Sequence, residues 1–481
     1  MKYLLRTIIQ LLSHIAKIRM QSVQKAIILF FIIGIIAGSC KPKGNNYAKV
    51  LHDPYLYSEV MHKLNYVIIY DIFTPPVASR IFAYANLAAF EVLAHEGSHF
   101  KSLQGKVTGL NNIPPPPANT KIDYPFAALI AMTKTGKQFT FSDDTMQVII
   151  DSLKLTAQEE GMPDDLYEAS VKYGEDVADS IIAWSKKDNY AQTRGARWAI
   201  SNEEGHWTPT PPGYFDAVEP LWPTIRCLVM DSANMFPPPG LPSFSKDTTS
   251  AFYKMAKDVM KTGTDLDTTQ KWIADFWDCN SFKLHVQGHA MFATKAMTPV
   301  GHWMEIVGIV SRNNQADFYK TVYAYTGASL GIFDAFVCSW FTKYKYDVIR
   351  PETYINRYID QNWMPYLQTP PFPEYNSAHS TISAAASRVM STIYENTAFV
   401  DSSERTWGWP DREFKSADEA AVEVSYSRLY GGIHYRQSVS DAYDQGKKIG
   451  DLVMEKLEFN KKPLAMKQDE ETKSPELGNK N

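Results

Sequence analysis

Three short clusters in the last third of this chain carry the side chains needed to hold and act on a tetrahedral oxyanion. They are Lys343-x6-Arg350-Pro351, then Asn376-Ser377-Ala378-His379, then Ser427-Arg428-x5-His434. Together they supply three fixed cations, a hydroxyl and two imidazoles. Equatorial oxygens bearing negative charge call for Lys and Arg donors, Arg above all for its planar fork. One imidazole nitrogen can attack or ligate the central atom in line, while the other moves a proton at the opposite apex. Taken alone, Lys-x6-Arg-Pro reads as a solvated helix end. The ordered set of three makes the signal.

The elements that must position these residues read as helices. Apolar periodicity begins near Tyr57 and predicts helices over 79–94, 125–136, 143–160, 164–187, 246–262, 268–278, 300–313, 317–343, 380–394, 416–429 and 436–457. Lys343 is expected to close a long helix, and Pro351 to stop any continuation past Arg350. Ser377 falls at an N-cap position, so an anion near Ala378 and His379 would meet free N–H groups and the positive end of a helix dipole. Gly431-Gly432 should break the helix of Arg428, with His434 opening the next. The four consecutive prolines of 114–117 mark a loop. The Pro-, Gly- and Trp-rich stretch 192–242 is long for a loop and should wrap the body or line the site entrance. Few strand signals appear, so the expected fold class is all-α, built of helical bundles.

The three clusters resemble the tripartite signature shared by vanadium-dependent haloperoxidases and type-2 phosphatidic acid phosphatases. Upstream, residues 78–91, the Trp207–Pro212 run and Gly301-His302-Trp303 are similar to bacterial haloperoxidase-like proteins, so the likeness spans Ala78 to Asp451. It implies helical bundles over 56–459, with the motif-bearing part at about 315–457. It also implies that Lys343, Arg350, Ser377, Ala378 (through its N–H), Arg428 and His434 bind vanadate, His434 ligating the metal. His379 would be the acid–base group, Lys343 would polarise bound peroxide, and Phe372 would lie on the halide side. Hydrogen peroxide and halide would be the substrates. The same pocket could instead serve an acid phosphatase, holding phosphate and a small phosphate ester with His434 as nucleophile, or a non-catalytic oxyanion-binding lipoprotein.

The chain departs from the signature at three places. Ala378 stands for glycine and Asn376 for proline. Ser438 stands where the family has an Asp that orients the imidazole, and Asp441 could substitute only if the helix turn allows. Loss of that carboxylate would hurt a phosphohistidine mechanism more than vanadate ligation, which favours vanadate chemistry. Other histidines read blandly: His95-Glu96-Gly97-Ser98-His99 as a helix end rather than a zinc motif, His285-x3-His289 as a surface pair, and His302 as a packed core residue.

The N-terminus carries Lys2, Arg6, Lys17, Arg19 and Lys25 with no acidic residue before Cys40, then an apolar run over 26–37 and Gly38-Ser39-Cys40. That pattern predicts a lipoprotein signal peptide over 1–40, starting at Met1 or Met20, with Cys40 lipidated. Residues 41–55 would be a polar tether and 460–481 a charged, disordered tail. The protein would be exported and held by lipid at the periplasmic face of the outer membrane. Removing the leader takes the formal charge from −4 to −9, which argues against a nucleic-acid partner. Cys227, Cys279 and Cys338 make no disulfide framework and read as core residues. No further apolar stretch is expected to span a bilayer.

Overall fold

Twenty residues from Pro75 to Ala94 form a helix with every side chain buried. Two prolines open it, where their missing N–H and fixed φ cost nothing. Its two charged residues are paired inside: Arg80 with Asp188 at 2.7 Å, and Glu91 accepting from Ser102 Oγ and the Leu103 N–H. Length and hydropathy would suit a membrane crossing, contrary to the expectation of no such stretch, but protein surrounds all of it.

The computed structural model describes residues 46–456 and Glu458, apart from 288 and 294. Helices Tyr124–Phe139 and Asp164–Ser185 pack on the buried helix, and Pro54–Tyr70 and Asp143–Glu159 complete that bundle. From the other side comes Phe318–Tyr346, shared with a second bundle of Pro299–Asn313, Ala378–Tyr394, Ala417–Tyr430 and Arg436–Lys456. Among the described residues the fold is all-α, with two small antiparallel hairpins added. Leu284–Gln287 pairs with Ala290–Ala293, and Phe399–Asp401 with Arg412–Phe414. Residues 46–55, expected as part of a tether, are instead docked. Helix Tyr47–Leu51 buries Leu51, and the Asn46 and Tyr47 amides donate to the Glu160 carbonyl. The leader, Cys40 and the tail over 460–481 lie outside the described residues.

Four local features position the clusters, three of them differently from expectation. The long helix runs past Lys343 to Tyr346, ending at Asp347 in the left-handed region (φ 47°), so Lys343 sits in its last turn. Pro351 starts a helix, Pro351–Tyr358, with Arg350 as N-cap. A proline that halts an incoming helix is well suited to begin the next one. Ser377 caps Ala378–Tyr394 as expected, accepting from the Ser380 N–H. His434 lies in the turn ahead of Arg436–Lys456 rather than opening that helix. Gly432 makes this turn with φ 74°, and a Cβ there would press on Pro365 at 3.2 Å.

The 192–242 stretch is strapped to the motif-bearing helix. Asp334 accepts from the amides of Leu228, Val229 and Met230, and the Val218 carbonyl accepts from Trp340 Nε1 and Tyr344 Oη. Backbone groups that would otherwise be stranded against the core are thereby satisfied.

Candidate oxyanion site

Ala378, His379, Arg428, His434 and Phe372 line one cavity, together with residues 278–282. Lys343, Arg350 and Ser377 stand behind that lining, fully buried. The chain thus brings all three clusters to one place, from a helix last turn, two helix starts and a glycine turn.

His434 is the best-defined member. Its Nδ1 lies 2.7 Å from Glu374 Oε1, which also accepts the Tyr435 amide at 3.0 Å. A carboxylate on Nδ1 fixes that nitrogen as the donor and leaves Nε2 with its lone pair. Nε2 stands 3.3 Å from Arg350 Nη1. Glu374 therefore does the orienting that the sequence had assigned to the position of Ser438. Asp441 does not: its carboxylate takes the Tyr375 hydroxyl at 2.8 Å. Ser438 offers its carbonyl to the Ser377 amide. The preference for vanadate drawn from a missing carboxylate falls with this finding. Glu374 could have been suspected from the sequence, as the only acidic residue between Asp360 and Glu395, set in an apolar, proline-rich loop.

The cations are held by backbone carbonyls. Arg350 Nε donates to Phe372 O and Nη1 to Ile433 O, while Nη2 is buried without a protein partner. Arg428 donates from Nη2 to Trp277 O at 2.7 Å and from Nε to Ser427 Oγ. Lys343 Nζ reaches three carbonyls, of Pro373 at 3.0 Å, Glu374 at 3.1 Å and Asn376 at 2.5 Å. An ammonium has three hydrogens, so Lys343 as placed clamps the loop that carries Glu374 and Ser377. It would have to exchange one carbonyl to touch a bound oxyanion. Asn376 is an anchor of the same loop, bonded to Ser339 Oγ and Gln445 Oε1. Phe372 lies against Trp340, and the charged heads of Lys343 and Arg350 sit 5.0 and 5.1 Å from its ring.

Charge in the site is lopsided. Burial first, then Arg428, Lys343, His302 and Arg350, hold His379 well below the ordinary imidazole range. Burial, Arg350, Lys343, Arg428 and His379 do the same to His434. Lys343 is itself pushed down, by burial and by Arg350. Burial lifts Glu374 to about 7 against the pull of Arg350 and Lys343. An anion would relieve the depression of His379, His434 and Lys343. His379 Nε2 and Arg350 Nη2 are buried without partners, and the first-turn amides at Ala378 and His379 have no acceptor within their helix. The unpartnered Arg350 Nη2 and the two amides, donors around a cavity, fit a small oxyanion such as vanadate or phosphate.

Among the described residues, His95, His99 and His289 are placed elsewhere. His95 Nδ1 pairs with Tyr173 Oη at 2.8 Å at a helix end, and His99 stacks on Tyr319. His289 is exposed at the tip of a hairpin. His302 is buried, paired with Asp401.

Comparison with known proteins gives the same picture. Residues 323–461 match the family described as the VCPO second helical-bundle domain. The structure is similar to that of a bacterial vanadium-dependent iodoperoxidase, with 42% sequence identity and a TM-score of 0.80. That match covers 84% of this chain and 97% of the other. Holo-type and apo-type structures of a bacterial vanadium-dependent chloroperoxidase align with TM-scores of 0.61 and 0.59, at 17% and 16% identity. They cover 81% and 80% of this chain, and 94% and 95% of theirs. At that identity they bear on the fold alone. No curated protein sequence matches the chain.

Proposed function

The chain belongs to the vanadium-dependent haloperoxidase family, and from that premise we propose that it oxidises halide with hydrogen peroxide at a vanadate bound through His434. Iodide is the first halide to test, since the structure with 42% identity is that of an iodoperoxidase. The observation that carries the reading is the Nε2 of His434, left as the lone-pair nitrogen by Glu374 and set 3.3 Å from Arg350 Nη1, on the guanidinium whose Nη2 is buried without a partner.

Bound vanadate supplies a Lewis-acidic centre that activates peroxide without changing oxidation state. The chain's own residues do the rest. Glu374 keeps the His434 Nδ1 proton in place so that Nε2 can ligate. Arg350, Arg428, Ser377 and the Ala378 amide would hold the oxyanion and offset its negative charge. His379, held neutral by burial and by its cationic neighbours, can accept a proton from an incoming peroxide and return it later. Lys343 holds the Glu374 loop in register through its three carbonyls.

The purified apo-protein should be assayed with and without vanadate for iodide and bromide oxidation and for phosphate-ester hydrolysis. Halide oxidation that appears only with vanadate supports the proposal. Ester hydrolysis inhibited by vanadate, with no halide oxidation, would replace it by the phosphatase reading. That reading is chemically open, because Glu374 supplies the carboxylate a nucleophilic His434 needs.

The leader further supports export and lipid attachment at Cys40. Cys40→Ala should release the protein from the membrane fraction and shift its mass. Unchanged fractionation and mass would reject the anchor.

A further inference from the structure

Behind one wall of the oxyanion cavity, three potential metal ligands from distant parts of the chain meet. Cys279 follows helix Thr268–Phe276, His302 lies on Pro299–Asn313, and Glu404 on the turn Ser403–Trp407. All three are buried, and one ligand atom from each lies within 4.8 Å of the others. Cys279 Sγ is 3.4 Å from His302 Nδ1, and Glu404 Oε1 is 3.4 Å from the same nitrogen. The other ring nitrogen, Nε2, is 2.8 Å from Asp401 Oδ2. Asp401 is fixed in turn by the Ser403 amide at 3.0 Å and hydroxyl at 2.6 Å. The Trp277 ring stacks on the imidazole at 4.4 Å.

These distances have the form of a tetrahedral site. With Zn–S of about 2.3 Å and Zn–N and Zn–O of about 2.0–2.2 Å, neighbouring ligands lie about 3.3–3.6 Å apart. Both measured edges fall there. As a hydrogen bond, the Glu404 contact is long, since N–H···O bonds run to about 3.2 Å, and one Nδ1 hydrogen cannot serve sulfur and carboxylate well together. A cation between the three satisfies all of them. The carboxylate on the far nitrogen is the arrangement that orients metal-binding histidines.

We propose that Cys279, His302 and Glu404 form a divalent-metal site of the zinc class, with Asp401 as the supporting carboxylate and a fourth position for water. The metal staples the Cys279 wall of the oxyanion cavity to the 399–407 segment. It is a site distinct from the one that holds vanadate.

The test is cobalt substitution. Full-length protein, stripped with chelator, is titrated with Co2+ and separately with Zn2+, and metal is counted after dialysis. We expect one ion per chain, a near-ultraviolet thiolate-to-cobalt band with visible bands of four-coordinate strength, and a higher Tm with Zn2+. Cys279→Ala should abolish the thiolate band, and Glu404→Gln should weaken Zn2+ retention at least tenfold, a scale typical of lost ligation support. Both variants should keep the helical far-ultraviolet circular dichroism and the cooperative melting of the metal-free wild type, which shows that they fold. Failure of wild type to retain an equivalent of metal overturns the proposal. So does a thiolate band that survives Cys279→Ala, or equal retention in Glu404→Gln. The cluster would then be a buried hydrogen-bond network centred on a charged His302.

Discussion

The cavity imidazoles and His302 share deep burial, yet their protonation is pushed in opposite directions. Burial alone lowers the pKa of every one of them. His379 and His434 stay low because Arg428, Lys343 and Arg350 surround them. His302 rises well above the ordinary value because Asp401, 2.8 Å away, outweighs its burial. His434 sharpens the lesson, since it too has a carboxylate at 2.7 Å and remains low. Glu374 is itself lifted to about 7 and its field is shared with two cations. A contact partner therefore does not set the charge of a buried group; the summed charge of the pocket does. One side of the Cys279 wall is built to receive an anion, the other to receive a cation.

The largest effect should come from His434→Ala, which removes the ligating nitrogen. Vanadate binding by equilibrium dialysis and halide oxidation should both disappear. His379→Ala should leave vanadate bound while turnover falls about 10²–10⁴-fold, the scale of general acid–base catalysis. If His379→Ala loses the oxyanion and His434→Ala keeps it, the two roles are reversed. Glu374→Gln should keep the fold and cost about 10–100-fold in vanadate affinity or activity, as loss of a supporting carboxylate does. Gln at this place cannot hold the Nδ1 proton as strongly, so the pH profile should move as well. An unchanged profile with full affinity would show that Glu374 only packs.

The smallest effect is on stability against pH. His379 has a folded pKa below its unfolded value near 6.5. Its contribution is therefore present above that pH, and it is lost as pH falls through 6.5 towards the lower folded value, because the unfolded chain takes up the proton that the folded one refuses. Wild type should lose Tm between pH 8 and 5 more steeply than His379→Gln. Added phosphate or vanadate should shrink the difference, since an anion offsets the cations around the ring. Equal slopes in the two proteins would place the cost of acid elsewhere.

The helices were legible because their apolar period and caps are local: Asp143–Glu159 and Pro299–Asn313 fall within a residue of their expected bounds. The oxyanion-binding residue types were legible for a similar reason, since each cluster sits inside one turn or helix end. Pro351 misled because a proline stops one helix and starts another with equal ease, and only the path of the chain decides which. The docking of 46–55 depends on a carbonyl at Glu160, far along the sequence.

By itself, then, the sequence determined which side chains are chargeable, where several of the helices begin, and that an oxyanion suits three ordered clusters. Tertiary structure alone decided that Glu374, sixty residues before His434, is its orienting partner, that Lys343 faces three carbonyls, and that Cys279, His302 and Glu404 converge. The physical reason is one of range. Helix signals and caps act over a few residues, whereas a buried polar group takes its partner from whatever segment the packing of the core brings within about 3 Å.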